Sequence, residues 1–174
     1  ARMAAAAVAT AVTAMGTGLA SVTKQALDLY AAYEQAAGGI ETLFKGSADT
    51  VMQNAALADE TAQRSANEYM ELSNSFAASL LQSLGNDTGK AAAYADRAII
   101  DMADNANKMG TSMELIQNAY RGFAKGNMTM LDNLSLGYGG TKEEMARLIQ
   151  DASKMTKVQK ELGISVDAAD MSFG

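Results

Sequence analysis

No proline interrupts the 174 residues of this chain. Average usage of ~5% would place about nine in this length, so little of the chain is built from proline-punctuated loops. Long helices are open to it throughout. The apolar residues point the same way: alanine supplies 35 of the 84 hydrophobic positions, leucine 15 and methionine 12, while valine and isoleucine together supply 12. Helices favour the first three and sheets the β-branched types. This predicts an all-α fold, a multi-helix bundle of about six or seven helices. An alanine-rich interior gains little transfer free energy per residue, so close helix pairing or association with other chains has to supply the rest.

The chain also has no histidine, cysteine or tryptophan. That removes Ser-His-Asp and thiolate chemistry and the usual ligands of zinc, haem and iron–sulfur clusters. Carboxylate, lysine, tyrosine and hydroxyl chemistry remain. A net charge of -6 without any basic run disfavours a nucleic-acid surface, whose affinity comes from cations on phosphates.

Residues 3–23 carry no charge, between Arg2 and Lys24. Three readings compete for them. A signal peptide has a basic start and a short apolar core, but Thr10, Thr13, Thr17 and Ser21 interrupt this one. The length suits a membrane span, although its hydrophobicity is weak. A small-residue helix packed closely on another helix fits Ala5, Ala9, Val12, Gly16 and Ala20 at three- and four-residue steps.

The helical pattern continues to Ala37, and Gly38-Gly39 is expected to end it. The domain reading is therefore an alanine-rich helix over 1–37 and a helical core region over 38–174, both belonging to a longer helical protein. Ser47 is placed to cap a helix through Val51, Ala55, Ala58 and Ala62. Ser65 and Glu68 have the spacing of a capping box, followed by a large apolar stripe at Tyr69, Leu72, Phe76, Leu80 and Leu84. After the turn Gly85-Asn86-Asp87, the next stripe is Ala91, Ala95, Ala98, Met102, Ala106 and Met109, ending at Gly110. Thr111 or Ser112 caps a helix through Met113, Ile116, Tyr120 and Phe123. Met128, Leu131 and Leu134 mark a short helical piece. Thr141 and Glu144 form a second capping-box spacing, before a stripe at Met145, Leu148, Ala152 and Met155. The stretch Leu162 to Asp167 reads as a turn into a short terminal helix.

Two features carry candidate chemistry. The loop Gly137-Tyr138-Gly139-Gly140, followed by Thr141-Lys142 at a helix start, has the backbone N–H groups of an anion site. It lacks the order of a P-loop, and a plain loop before a capped helix explains it equally. The carboxylate pairs Asp101/Asp104 and Glu143/Glu144 are close in sequence, but no further oxygen ligands stand at metal-binding intervals. Glu143 and Glu144 sit in a first helical turn, where negative charge offsets the macrodipole. No catalytic, cofactor-binding or metal-binding residue is assigned.

Blocks of sequence then occur in a particular order between Ile40 and Asp151. They are Glu41–Asp49, Ser65–Met70, Phe76–Gln82, Met102–Gly110, Gln117–Lys125, Asn127–Leu134 and Gly137–Met145. This ordered set resembles the core region of tail tape measure proteins from long-tailed phages and prophages, over roughly two thirds of the chain. The resemblance implies a structural virion protein that fills the lumen of the tail tube, sets tail length during assembly and leaves ahead of the genome at ejection. It implies as partners the major tail tube protein, tail-tip and distal tail proteins, tail assembly chaperones and copies of itself. The implied locations are the virion tail and, during assembly, the host cytoplasm. An alternative role is a membrane-inserting segment, residues 3–23, acting as DNA crosses the host membrane. The resemblance assigns no catalytic residue and no cofactor.

Overall fold

The computed structural model describes residues 19–170. Among them the secondary structure is entirely helical. The order is α1 (Leu19–Phe44), a 3-10 turn (Lys45–Ser47), α2 (Ala48–Ala56), α3 (Ala58–Ala62), α4 (Ala66–Ser83), α5 (Thr88–Met109), α6 (Met113–Phe123), a second 3-10 turn (Leu131–Leu134), α7 (Lys142–Lys154) and α8 (Thr156–Leu162). With α2 and α3 counted as one helix interrupted at Leu57, there are seven among the described residues, an all-α multi-helix bundle. Residues 1–18 and 171–174 lie outside the described residues. So do most of the uncharged stretch 3–23 and any helix after Asp170.

The expected helix end at Gly38-Gly39 is corrected: α1 runs through both glycines to Phe44. Two glycines in a helix interior cost about 1 kcal/mol each. Burial of Ile40 and Phe44 just beyond them, at roughly 1.5–3 kcal/mol per large apolar side chain, outweighs that cost. Gly39 also has a packing reason, because an added Cβ would stand 2.5 Å from Asn74 Nδ2. Two asparagines seven residues apart on α4 set this contact: Asn67 Nδ2 donates to Leu29 O at 3.1 Å and Asn74 Nδ2 to Ala36 O at 2.9 Å. The constant offset means that α1 and α4 run parallel.

α4 lies at the centre, packed on α1, α2, α3 and α5. Its Ser65–Glu68 capping box forms as expected. Tyr69, Leu72, Phe76 and Leu80 are buried, but so are Met70, Ser73 and Ala77, because a helix with neighbours on most sides has no single apolar face. The interruption at Leu57 leaves the stripe intact, and Val51, Ala55, Ala58 and Ala62 are all buried. Ser47 corrects its expected role: it makes no side-chain cap, and its hydroxyl bonds the Thr88 hydroxyl at 3.0 Å, tying the start of α2 to that of α5.

Asp87, the last residue of the expected turn, caps α5, accepting from Lys90 N at 3.0 Å. Along α5, Ala91, Ala95, Ile99 and Met102 are buried, while Met109 is exposed at the helix end. Gly110 and Ser112 close and open α5 and α6 as expected. Ile116 and Ala119 form the buried side of α6, with Tyr120 and Phe123 half-buried. Leu131 and Leu134 are buried through the second 3-10 turn. The stripe of α7 stops short of its expected end: Met145 is buried, but the helix closes at Lys154 and Met155 is exposed. The last described helix is α8, ended by Gly163, and no helix follows it as far as Asp170; the rest of the expected terminal helix lies outside the described residues.

Candidate functional site

The loop before α7 is fixed by its own helix. Glu144 reaches back so that Gly139 N donates to its Oε2 at 3.1 Å, while Glu144 N donates to Thr141 Oγ1 at 3.2 Å. Only half of the expected capping box therefore forms: Thr141 caps, but the Glu144 carboxylate goes to Gly139, and Thr141 N bonds Gly139 O instead. The same carboxylate pairs with Arg147 at 2.8 Å. Arg147 continues to Gly137 O at 3.3 Å, and its guanidinium lies 4.7 Å from the centre of the Tyr138 ring. Tyr138 donates to Asp151 Oδ2 at 3.0 Å. That bond raises the Tyr138 pKa, while Lys154 and Tyr138 hold Asp151 below the usual carboxylate range.

This arrangement corrects the anion-site expectation at Gly137–Gly140. The Gly139 N–H that an anion would use donates to the protein's own carboxylate, that of Glu144. Gly140 is required for a steric reason, since a Cβ there would run into Thr129 O.

The two carboxylate pairs are not brought together. Asp104 pairs with Lys108 at 3.2 Å. Desolvation pushes the Asp101 carboxyl up, opposed by Arg97. Glu143 is exposed in the first turn of α7. Among the described residues no three acidic groups gather at a metal-holding distance.

Two features escaped the sequence reading. The first is a buried polar contact in the core, where the fully buried Tyr69 donates to Asp96 Oδ1 at 2.7 Å. Burial and this bond raise the Tyr69 pKa far above its ordinary value. The available signal was Asp96, next to the buried Ala95 of the alanine stripe. The second is a cavity of about 440 Å³ between the loop after α6 and the start of α7, lined by Gly126, Asn127, Met128, Thr129 and Lys142. Asn127 Oδ1 accepts from both Thr129 N and Thr129 Oγ1 and so holds the loop in shape. Nothing in the local sequence joins residues 126–129 to Lys142.

No described helix is long and apolar enough to cross a membrane. Comparison with protein-family models, with curated proteins and with solved structures gives no match.

Proposed function

We propose that this chain is a segment of a tail tape measure protein, a structural virion component rather than an enzyme. The observation that carries the reading is the coincidence of the ordered blocks with the packed positions of the bundle. Each block contributes buried residues: Phe44 and Ala48, Tyr69 and Met70, Phe76 and Leu80, Met102 and Ala103, Ala119, Leu131 and Leu134, and Met145. The blocks thus all take part in the packing of one helical bundle. The all-helical architecture and the absence of proline agree with it, because a helix converts residues to length at a fixed 1.5 Å each.

The test is an in-frame deletion of α4 and α5, residues 66–109, from the parent gene in its phage. If those residues act as an extended helical ruler, tails shorten by about 66 Å in electron micrographs. A smaller proportional shortening indicates that the segment measures length while folded. Tails of unchanged length refute the role.

A further inference from the structure

Little holds α8 to the bundle. The helix buries no side chain, and its apolar residues Val158 and Leu162, with Met155 before it and Ile164 after it, are all exposed. Seven residues without a buried face do not persist as a helix in water, where isolated helices shorter than about 12–15 residues are marginal. What keeps α8 in place therefore lies in a few polar ties.

Two side chains supply them. At the base, Met155 separates α7 from α8 with φ -79° and ψ 54°, and Gln159 bridges the break. Its Nε2 donates to Ala152 O at 2.7 Å and to Ser153 O at 3.0 Å, while its Oε1 accepts from Val166 N at 3.0 Å. At the far end, Arg97 Nη2 donates to Leu162 O at 3.2 Å. This carbonyl lies in the last turn of α8, where no intrahelical donor is due and the partial charge is negative. Among the described residues it is the one hydrogen bond from residues 155–166 to any part of the chain before α7.

Arg97 is only half used by this contact, because its Nη1 is buried and has no acceptor. One turn further along α5 stands Asp101, at the i,i+4 spacing that lets side chains meet. The two make no ion pair among the described residues, although the charge of Arg97 reaches Asp101 and opposes the upward push of desolvation on its carboxyl. A hydrogen bond to an ionised acceptor is roughly twice as strong as one to a neutral acceptor. Asp101 thus competes with Leu162 O for one guanidinium, and in gaining it would also give Nη1 its missing acceptor.

We propose that residues 155–166 form a strap that opens by an exchange of partners: Arg97 leaves Leu162 O for the Asp101 carboxylate, and α8, unfastened, loses its helix while the rest of the bundle stays folded. Arg97 is the latch, Asp101 is the competitor that keeps the latch poised, and Gln159 secures the base of the closed form. The inference does not rest on the tape-measure reading, since it concerns a local opening of this chain and not the length of a tail.

Hydrogen exchange followed by mass spectrometry on the 174-residue chain tests it, with amides of α4 reporting global opening. Amides of residues 155–166 are expected to exchange well before those of α4. R97M should speed their exchange at least tenfold, and R97K, which keeps a cation but loses the fork of donors, should speed it less. D101N removes the competitor and should slow it at least threefold. In an R97M background D101N should change nothing, because Asp101 acts only through Arg97. Exchange of α4 stays the same in R97K and D101N, which separates release of the strap from general unfolding. A strap as protected as α4 overturns the proposal, as does R97M or R97K exchanging like the parent. So does D101N speeding exchange, as the loss of a supporting partner would, or D101N still slowing it when Arg97 is gone.

Discussion

The adjacent glycines of α1 set up a test in which one substitution is expected to act in opposite directions at neighbouring positions. Gly38→Ala meets open space, so it gains only the helix preference of alanine, about 0.5–1 kcal/mol. Gly39→Ala gains the same preference but places its methyl 2.5 Å from Asn74 Nδ2 and 2.9 Å from Asn74 Cγ. The asparagine has to swing away, and the 2.9 Å bond to Ala36 O breaks. Its Oδ1 already lacks a partner, so the whole amide is left unsatisfied in a part-buried site, at about 1–3 kcal/mol. Displacing packed neighbours adds about 1 kcal/mol or more. Set against the alanine gain, the net loss is about 2 kcal/mol, or roughly 4–8 °C in melting temperature for a chain of this size. Urea denaturation followed by circular dichroism at constant m-value measures both variants. The double-mutant arm isolates the cause: in an Asn74→Ala background, Gly39→Ala should become neutral or stabilising. Equal shifts for the two glycine variants, or the same loss with and without Asn74, would show that Gly39 is not there to admit Asn74.

Three further outcomes follow from the geometry. Tyr69→Phe removes the buried 2.7 Å donation to Asp96 and is expected to cost about 2 kcal/mol in chemical denaturation, the scale of a bond to a charged acceptor; Asp96→Asn, which keeps an acceptor, should cost less, and equal losses would contradict the reading. Ser65→Ala removes the Glu68 N–H bond to the hydroxyl and the hydroxyl's own donation to Glu68 Oε2, leaving the Ser65 backbone N–H on that carboxylate, and should cost about 1 kcal/mol, whereas Thr141→Ala loses only the Glu144 N–H bond and should cost about half of that in the same titration. Asp87 is held below the usual carboxylate range chiefly by the Lys90 backbone N–H, with the Lys90 charge assisting against desolvation. A lowered folded-state value makes its stabilising effect complete above the unfolded value near 4 and lost as pH falls through the folded value. Asp87→Asn should therefore flatten the acid limb of the stability profile below about pH 4, and an unchanged limb would remove Asp87 from the explanation.

The sequence carried the parts of this fold whose causes are local. The Ser65–Glu68 box, the Gly110 stop and the Ser112 cap were all readable, because each depends on residues within one helical turn. The stripe Val51, Ala55, Ala58 and Ala62 was readable too, even though the helix breaks at Leu57, since burial follows spacing more closely than hydrogen bonding does. The failures occurred where the deciding partner is distant. Gly38-Gly39 resembles a helix stop until Asn74, on another helix, explains Gly39 and the buried Ile40 and Phe44 show why the helix continues. Ser47 resembles a cap until Thr88 claims its hydroxyl.

The loop before α7 shows the same principle for the candidate site. Glycine N–H groups, a helix start and a following lysine are the components of an anion site, and all are present between Gly137 and Lys142. Their use is decided by one side chain, because Glu144 can spend its carboxylate on Thr141 N, as the capping-box spacing suggests, or on Gly139 N, as it does. The second choice fills the anion position from within and leaves Arg147 to bind the same carboxylate, Gly137 O and the face of Tyr138. A loop tied down in this way has no free Gly139 donor to offer an anion. The chemically open surface is then displaced to its neighbour, the cleft at Lys142, which no spacing rule within either segment would have located.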